Sequence, residues 1–428
     1  MNIPPAADLK REALAGLTTF FTMAYIVVVN PAILSSPGTG MPFSGVLTAT
    51  VLLSFLMTAL MGAYARLPFA VAPGMGLNAF FAYSIILGRG VPWPTALGVV
   101  FWAGALFVLI SITPVRVKLA EAIPDGLRTA SAAGIGLFLA FIGLKNAGIV
   151  VPDPATLVRL GVLDRKAFLA LAGGALTIAL MRRKSAFAFL AGIFGVTAAA
   201  WVLGLIETPP SAFSRPDFSS VFFKLDIWGA LKLSLLPAII SILFTDLFDS
   251  ISTFVGVAHA TGLVDEKGRP LRLKEGLIVD AFATMGAGLV GTSSGTAFIE
   301  SASGIEMGGR TGWTAFFCAL AFLPCFFLGP VAGMVPAYAT APVLIIVGAL
   351  MFRSVSRIDF SRIEDAVPAF LTIALIPLTF SITQGILWGF VSHAALYALC
   401  GRRREVSAGT WLTAALSAGL LILDHARW

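Results

Sequence analysis

The apolar residues of this chain come in long runs separated by short polar breaks. Read as stretches of roughly 17–25 residues, the length that crosses hydrocarbon as a helix, they predict about fourteen spans. These centre near Met23, Leu56, Ala79, Ala105, Phe138, Leu176, Ala198, Ile242, Thr284, Ser301, Leu320, Leu344, Ile373 and Phe390. The third and tenth are short and weak. The pattern predicts an all-α polytopic membrane protein whose first partner is the lipid bilayer. A last apolar stretch, WLTAALSAGLLIL (411–423), is too short for a further span and is expected to lie at the interface or against the bundle.

Composition sharpens this. Of the 428 residues, 58% are hydrophobic and 12% charged, against about 25% charged in soluble domains. A net charge of +7 admits a nucleic-acid partner, but the distribution of charge argues for topology instead. With the N-terminus inside, the inside segments hold 21 of the 29 Lys and Arg and the outside segments hold 8. That bias predicts a protein of the cell membrane with both termini cytoplasmic, an even number of spans and no nucleic acid. The polar start MNIPPAADLKREAL predicts no cleavable signal peptide. Cys318, Cys325 and Cys400 lie in apolar runs and are expected to pack, and three histidines are too few for a His-based metal site. No cofactor is expected.

Two patterns recur. FTMAY (21–25) and FTDLF (244–248) stand 223 residues apart, and the Gly-rich interruptions APGMGLNAFF (72–81) and GTSSGTAFIE (291–300) about 220 apart. They divide the chain into a first repeat over 1–210, a second over 211–400 and a tail over 401–428, with the break in the loop near 207–218. Seven spans is an odd number, so the second repeat must be inverted, and paired broken spans in inverted repeats are a transporter signature. In span three, Pro73, Gly74 and Gly76 weaken helix, which predicts extended chain through Phe69–Pro73 and helix from about Gly76. Span ten repeats this form. Each half-helix would aim free N–H groups into a cavity.

The acids inside predicted spans are Asp246, Asp249, Asp280 and Glu300, with Glu306 near an exit, and no Lys or Arg stands at comparable depth. A charge at the bilayer centre costs about 2.5–3.5 kcal/mol, so these groups must be protonated, hydrogen-bonded or wet. Asp246 and Asp249 are three apart on one helix, with Thr253 a turn further on. Two adjacent carboxylates resist ionising together, so the pair suits the loading and unloading of a proton. Glu300 stands at the start of a half-helix, where an ionised acid accepts two N–H bonds. Phe298 offers a stacking face, and Asn78 both donates and accepts. A neutral, flat, N–H-rich molecule such as a purine base fits this set; inorganic cations fit the acids alone. Asp280 reads as a polar contact within span nine and Glu306 as a loop-facing residue.

Five motifs carry a resemblance over nearly the whole chain: GLTTFFTMAYIVVVNPAIL (16–34), APGMGLNAFFAY (72–83), FTDLFDSISTFVGVA (244–258), GTSSGTAFIESASGIEMGGRTG (291–312) and PVAGMVPAYATAPVLIIVGALM (330–351). In these the chain resembles the adenine/guanine/hypoxanthine permeases, the AzgA-like purine branch of the nucleobase–ascorbate transporters. The resemblance implies two inverted seven-span repeats, a core domain with spans one, three, eight and ten, and a gate domain. It implies proton-driven symport of purine bases, often as a homodimer. Matched by motif, Asp249, Asp246, Glu300, Asn78 and Phe298 fall on the substrate site, and the two aspartates and Glu300 on proton coupling. Ser250 and Ser252 depart from the branch's usual Thr and Gly, and Gln384 from its Asn.

Two other classes compete. Asp246-Leu-Phe-Asp249 resembles the Asp-x-x-Asp of Mg-dependent membrane prenyltransferases, and an intramembrane aspartyl protease also uses buried acids. The first needs further clustered acids and basic residues; the second needs acids on two different spans. An anion transporter of the same fold would rely on half-helix dipoles and a cation rather than on Asp249 and Glu300.

Overall fold

The computed structural model describes residues 5–113, 124–266 and 268–425. All fourteen expected centres fall within helices among these residues. Span one is broken into Ala6–Met23 and Ile26–Leu34, and span two runs over Phe43–Leu60. Spans four to seven are Trp93–Ile112, Asp125–Asn146, Arg165–Arg182 and Ala188–Val202. Spans eight, nine and eleven are Leu236–Thr261, Leu273–Val290 and Gly312–Phe322. Spans twelve to fourteen are Ala337–Phe352, Ile363–Leu378 and Ile382–Leu399. Seven of the described helices, those of spans one, two, four, five, eight, twelve and fourteen, are by themselves long and apolar enough to cross a membrane. Of the cations in the inside tally, Arg116, Lys118, Lys267 and Arg427 lie outside the described residues.

Spans three and ten are the exceptions expected of them. Strand β1 (Val71–Pro73) leads into a helix from Met75, and a strand at Gly295–Ala297 precedes a helix at Ser301–Glu306. Between spans five and six, β2 (Val150–Asp153) and β3 (Leu157–Leu160) form a hairpin that the apolar pattern does not signal. The strand of span ten is therefore β4. It pairs antiparallel with β1 in the register Val71–Ala297, Ala72–Thr296 and Pro73–Gly295.

The helices segregate into two bodies. Spans one to four pack with eight to eleven, and spans five to seven with twelve to fourteen. These are the core and the gate. Their packing is symmetric when each span is exchanged with the one seven later. Span one lies on eleven as eight lies on four, four on nine as eleven on two, and thirteen on fourteen as six on seven. Antiparallel pairing of the equivalent strands is what inversion of the second repeat requires. The tail forms a helix, Ala408–His425, laid against span fourteen, with Leu420 and Leu421 buried on Leu387. It packs on the bundle, one of its two expected positions.

Without a hydrophobic drive between helices in lipid, close approach at small residues holds spans together. In the gate, spans five and twelve cross at Gly136 and Gly348. A Cβ on Gly348 would stand 2.4 Å from the Gly136 carbonyl oxygen, and one on Gly136 would stand 2.5 Å from that of Gly348. In the core, Gly62 and Gly312 meet the same way. Gly348→Val forces two backbones apart. It is expected to cost about 1–3 kcal/mol or more, read as a lower melting temperature of the purified protein in detergent. An unchanged melting temperature would remove this crossing from the account.

Candidate substrate site

The site is assembled on backbone that is not helical. Pro73 has no N–H to give a helix, and β-compatible Thr and Ser residues precede the half-helix of span ten. Chain freed from helix at this depth must find partners. The β1–β4 pairing supplies some, and hydroxyls supply others. Thr58 Oγ1 donates to the Val71 carbonyl and accepts from its N–H, both at 2.9 Å. Ser301 Oγ accepts from Ala70 N at 3.0 Å, while Phe298 N donates to the Ala70 carbonyl at 2.9 Å. Gly74 N donates to the Ser294 carbonyl at 2.9 Å.

Where the strands give way to the half-helices, a cavity of about 130 Å³ opens, well below the roughly 300–1,000 Å³ of drug-sized ligand sites. It suits a small, flat molecule. Asp249 and Thr253 face it from span eight, and Phe298 and Glu300 from span ten. Val347 and Met351 of span twelve close it from the gate, so the site lies where the two bodies meet. No Lys or Arg lines it among the described residues.

Four of the expected residues thus converge: Asp249, Thr253, Phe298 and Glu300. Two do not reach the cavity wall. Asp246 is fully buried behind it, and its Oδ2 accepts from Ser294 Oγ at 2.7 Å and from the Thr284 hydroxyl. The reason is rotational: three residues advance a helix to about 60° short of a full turn. Asp246 therefore turns toward span nine and β4, while Asp249 turns toward the gate. Among the described residues Asp249 has no hydrogen-bonding protein partner. Asn78 is also fully buried, donating to Asn30 Oδ1 at 3.2 Å. The structure places both as supports of the site rather than as walls.

Asp280 makes the polar contact expected of it, and its partners reach across two further elements. Its Oδ1 accepts from Ala297 N in β4 at 2.7 Å, and its Oδ2 accepts from the Ser250 hydroxyl of span eight. Ser250 also lies 3.0 Å from Thr296 Oγ1. One carboxylate thus fixes the strand of span ten against the helix that carries Asp249. Ser250 keeps the hydroxyl that a Thr would bring. Glu306 is exposed, and Gln384 lies in the first turn of span fourteen.

Two features escape the sequence reading. Tyr25, at the break in span one, lines the cavity and donates to Glu300 Oε1 at 2.7 Å. Its signal was present in the FTMAY repeat, where Tyr25 holds the place of Phe248. The second is a cation. It is Arg128, which stands at the end of span five rather than at the depth of the buried acids, its side chain 30% exposed. Arg128 pairs with Asp125 at 2.5 Å in the first turn of span five and lines a neighbouring cavity that also touches Asp249. A long side chain at a helix end can line a cavity with its stem while its head stays with an exposed carboxylate, here Asp125 at 86% exposure. Ser252 faces that neighbouring cavity rather than the Glu300 one.

Comparison with known proteins agrees with this architecture. The model of the Permease family matches residues 10–387. The chain is 46% identical to the Putative permease MJ0326 of Methanocaldococcus jannaschii, over 96% of this chain and 93% of that protein. It is 42% identical to the Adenine permease AdeP of Escherichia coli (93% and 89% covered) and 40% identical to the Guanine/hypoxanthine permease PbuO of Bacillus subtilis (93% and 94%). In fold it is similar to the transmembrane domain of the cyanobacterial bicarbonate transporter BicA, with a TM-score of 0.68 at 16% identity, covering 90% of this chain and 98% of that one. Full-length matches to relatives of this kind make the chain a multi-pass transporter and not an enzyme. It belongs to the Permease family, in the branch of its adenine and guanine/hypoxanthine permeases.

Proposed function

We propose that this protein carries purine nucleobases across the cell membrane together with protons, by alternating access of the core against the gate. One observation carries the reading. A cavity at the meeting of core and gate is faced by a carboxylate held in place by Tyr25 (Glu300), a second carboxylate without a protein partner (Asp249) and an aromatic ring (Phe298). Its size and charge suit a small neutral ring system with adjacent N–H donors. The relatives named for adenine, guanine and hypoxanthine support the same class.

In this mechanism Glu300 accepts two N–H groups from one edge of the base. The Tyr25 hydroxyl occupies Oε1 from the far side and orients the carboxylate, and Phe298 covers a face of the ring. Asp249 takes and releases the proton. A bound, neutral cargo lets the core slide past Val347 and Met351 of the gate, whereas an unpaired carboxylate opposes passage through a closed, dry site. Asp246, its Oδ2 held by Thr284 and Ser294, tunes Asp249 from behind. The preponderance of inside cations supports cytoplasmic termini.

The competing chemistries fit less well. The two aspartates of Asp-x-x-Asp point to different neighbours, so they do not clasp a shared metal ion. Two carboxylates without a lining cation repel an anionic substrate.

Proteoliposomes given radiolabelled adenine, guanine and hypoxanthine are expected to accumulate at least one of them when the outside is acidic, and to stop when the gradient is collapsed. Accumulation of none, or accumulation indifferent to the gradient, would refute the reading. Asp249→Asn should abolish the gradient dependence. Glu300→Gln is expected to weaken base binding by about 10- to 100-fold, the worth of hydrogen bonds to a charged acceptor, while the protein still elutes as a monodisperse peak. Tyr25→Phe, which keeps the ring but frees Glu300, should lie between that variant and wild type. Wild-type affinity in Glu300→Gln would exclude this carboxylate from the site.

A further inference from the structure

The neighbouring cavity, on the other side of Asp249, is not explained by a single central site. Phe248 and Ser252 of span eight line it, with Arg128 and Ser131 of span five opposite, and Thr245 lies deeper in its wall. Thr245 is the informative residue. Its side chain is buried, at 6% exposure, and its Oγ1 has no hydrogen-bond partner. A threonine in a helix ordinarily satisfies its hydroxyl on the carbonyl four residues back, and Thr18, Thr48, Thr177, Thr197 and Thr372 do so here. Thr245 leaves its hydroxyl open beside a cavity.

The other walls repeat the chemistry of the Glu300 cavity in a weaker form. Phe248 gives an aromatic ring, Ser252 a hydroxyl and Asp249 the same carboxylate. Arg128 closes the far end, its guanidinium paired with exposed Asp125. The two cavities share Gly74, Gly76, Asp249 and Met351 in their walls, so they lie side by side along span eight. The open Thr245 hydroxyl, with the Ser252 hydroxyl nearby, suits a flat ring that carries an acceptor such as a ring carbonyl.

We propose that this cavity is a second, weaker subsite for the transported base, a station between the Glu300 cavity and the membrane face that carries Arg128, in which Thr245 and Ser252 bind the ring. The proposal rests on the purine reading above and deepens it. It also gives Ser252 a task that a glycine at that position could not perform.

The test is equilibrium binding of radiolabelled hypoxanthine to the full-length purified protein, from micromolar to millimolar concentration. Two components are expected. Thr245→Val, which keeps the shape and removes the hydroxyl, should weaken the looser component by about tenfold while changing the tighter one by less than about twofold. Glu300→Gln should do the reverse. Retention of the tight component shows that Thr245→Val is folded; if it is not, Ser252→Gly is expected to weaken the loose component in the same direction. A single component that depends wholly on Glu300, or a loose component indifferent to both Thr245→Val and Ser252→Gly, would overturn the second subsite and leave the purine reading standing. Absence of any hypoxanthine, adenine or guanine binding to wild type would overturn both.

Discussion

Backbone N–H and C=O groups released in the middle of a membrane must find partners, and in this protein they find each other. The antiparallel pairing of Val71–Pro73 with Gly295–Ala297 lets two spans stop being helical at the same depth. Each unmet group in hydrocarbon would cost several kcal/mol, so neither break is tolerable alone. The inverted repeat makes the solution available, since it brings equivalent strands together in opposite directions. The cavity, its two carboxylates and its aromatic ring all follow from that pairing.

The pairing is also why so many polar residues near the site never touch the cavity. Thr58 saturates Val71, Ser301 holds Ala70, and Asp280 ties Ala297 to Ser250. Asp246 performs a similar service between spans eight, nine and ten through Thr284 and Ser294. These groups position the half-helix that presents Glu300 and the helix that presents Asp249. A change at Asp280 would thus reach the substrate through geometry, without a contact of its own.

Much of this was legible in the chain. Apolar run lengths located all fourteen centres, because a bilayer imposes one thickness on every span. Pro73 with its neighbouring glycines marked where helix fails, and acids without cationic partners marked the spans that wall the cavity. What the chain did not reveal is lateral. Two acids three residues apart look alike on a helical wheel, yet neighbours decide that Asp246 faces Ser294 and Asp249 the cavity. Asn78, expected at the wall, lies behind it for the same reason, its partner Asn30 being 48 residues away. Tyr25 was missed because a tyrosine in an apolar run is unremarkable until Glu300 arrives beside it. Arg128 belongs to the first turn of span five, and only the packing of that span against span eight brings it beside a cavity. The β2–β3 hairpin left no trace because its two strands are only four residues each and the second is fully exposed.

The central claim is that the broken spans create one purine-sized site between Glu300, Phe298 and Asp249. A structure of the protein with a bound base tests it most directly. The account predicts planar density against Phe298, with a base edge within hydrogen-bonding distance, roughly 2.7–3.2 Å, of the Glu300 carboxylate, and Tyr25 still on Oε1. Base density in a position that leaves Glu300 bonded only to Tyr25, away from β1 and β4, would contradict it.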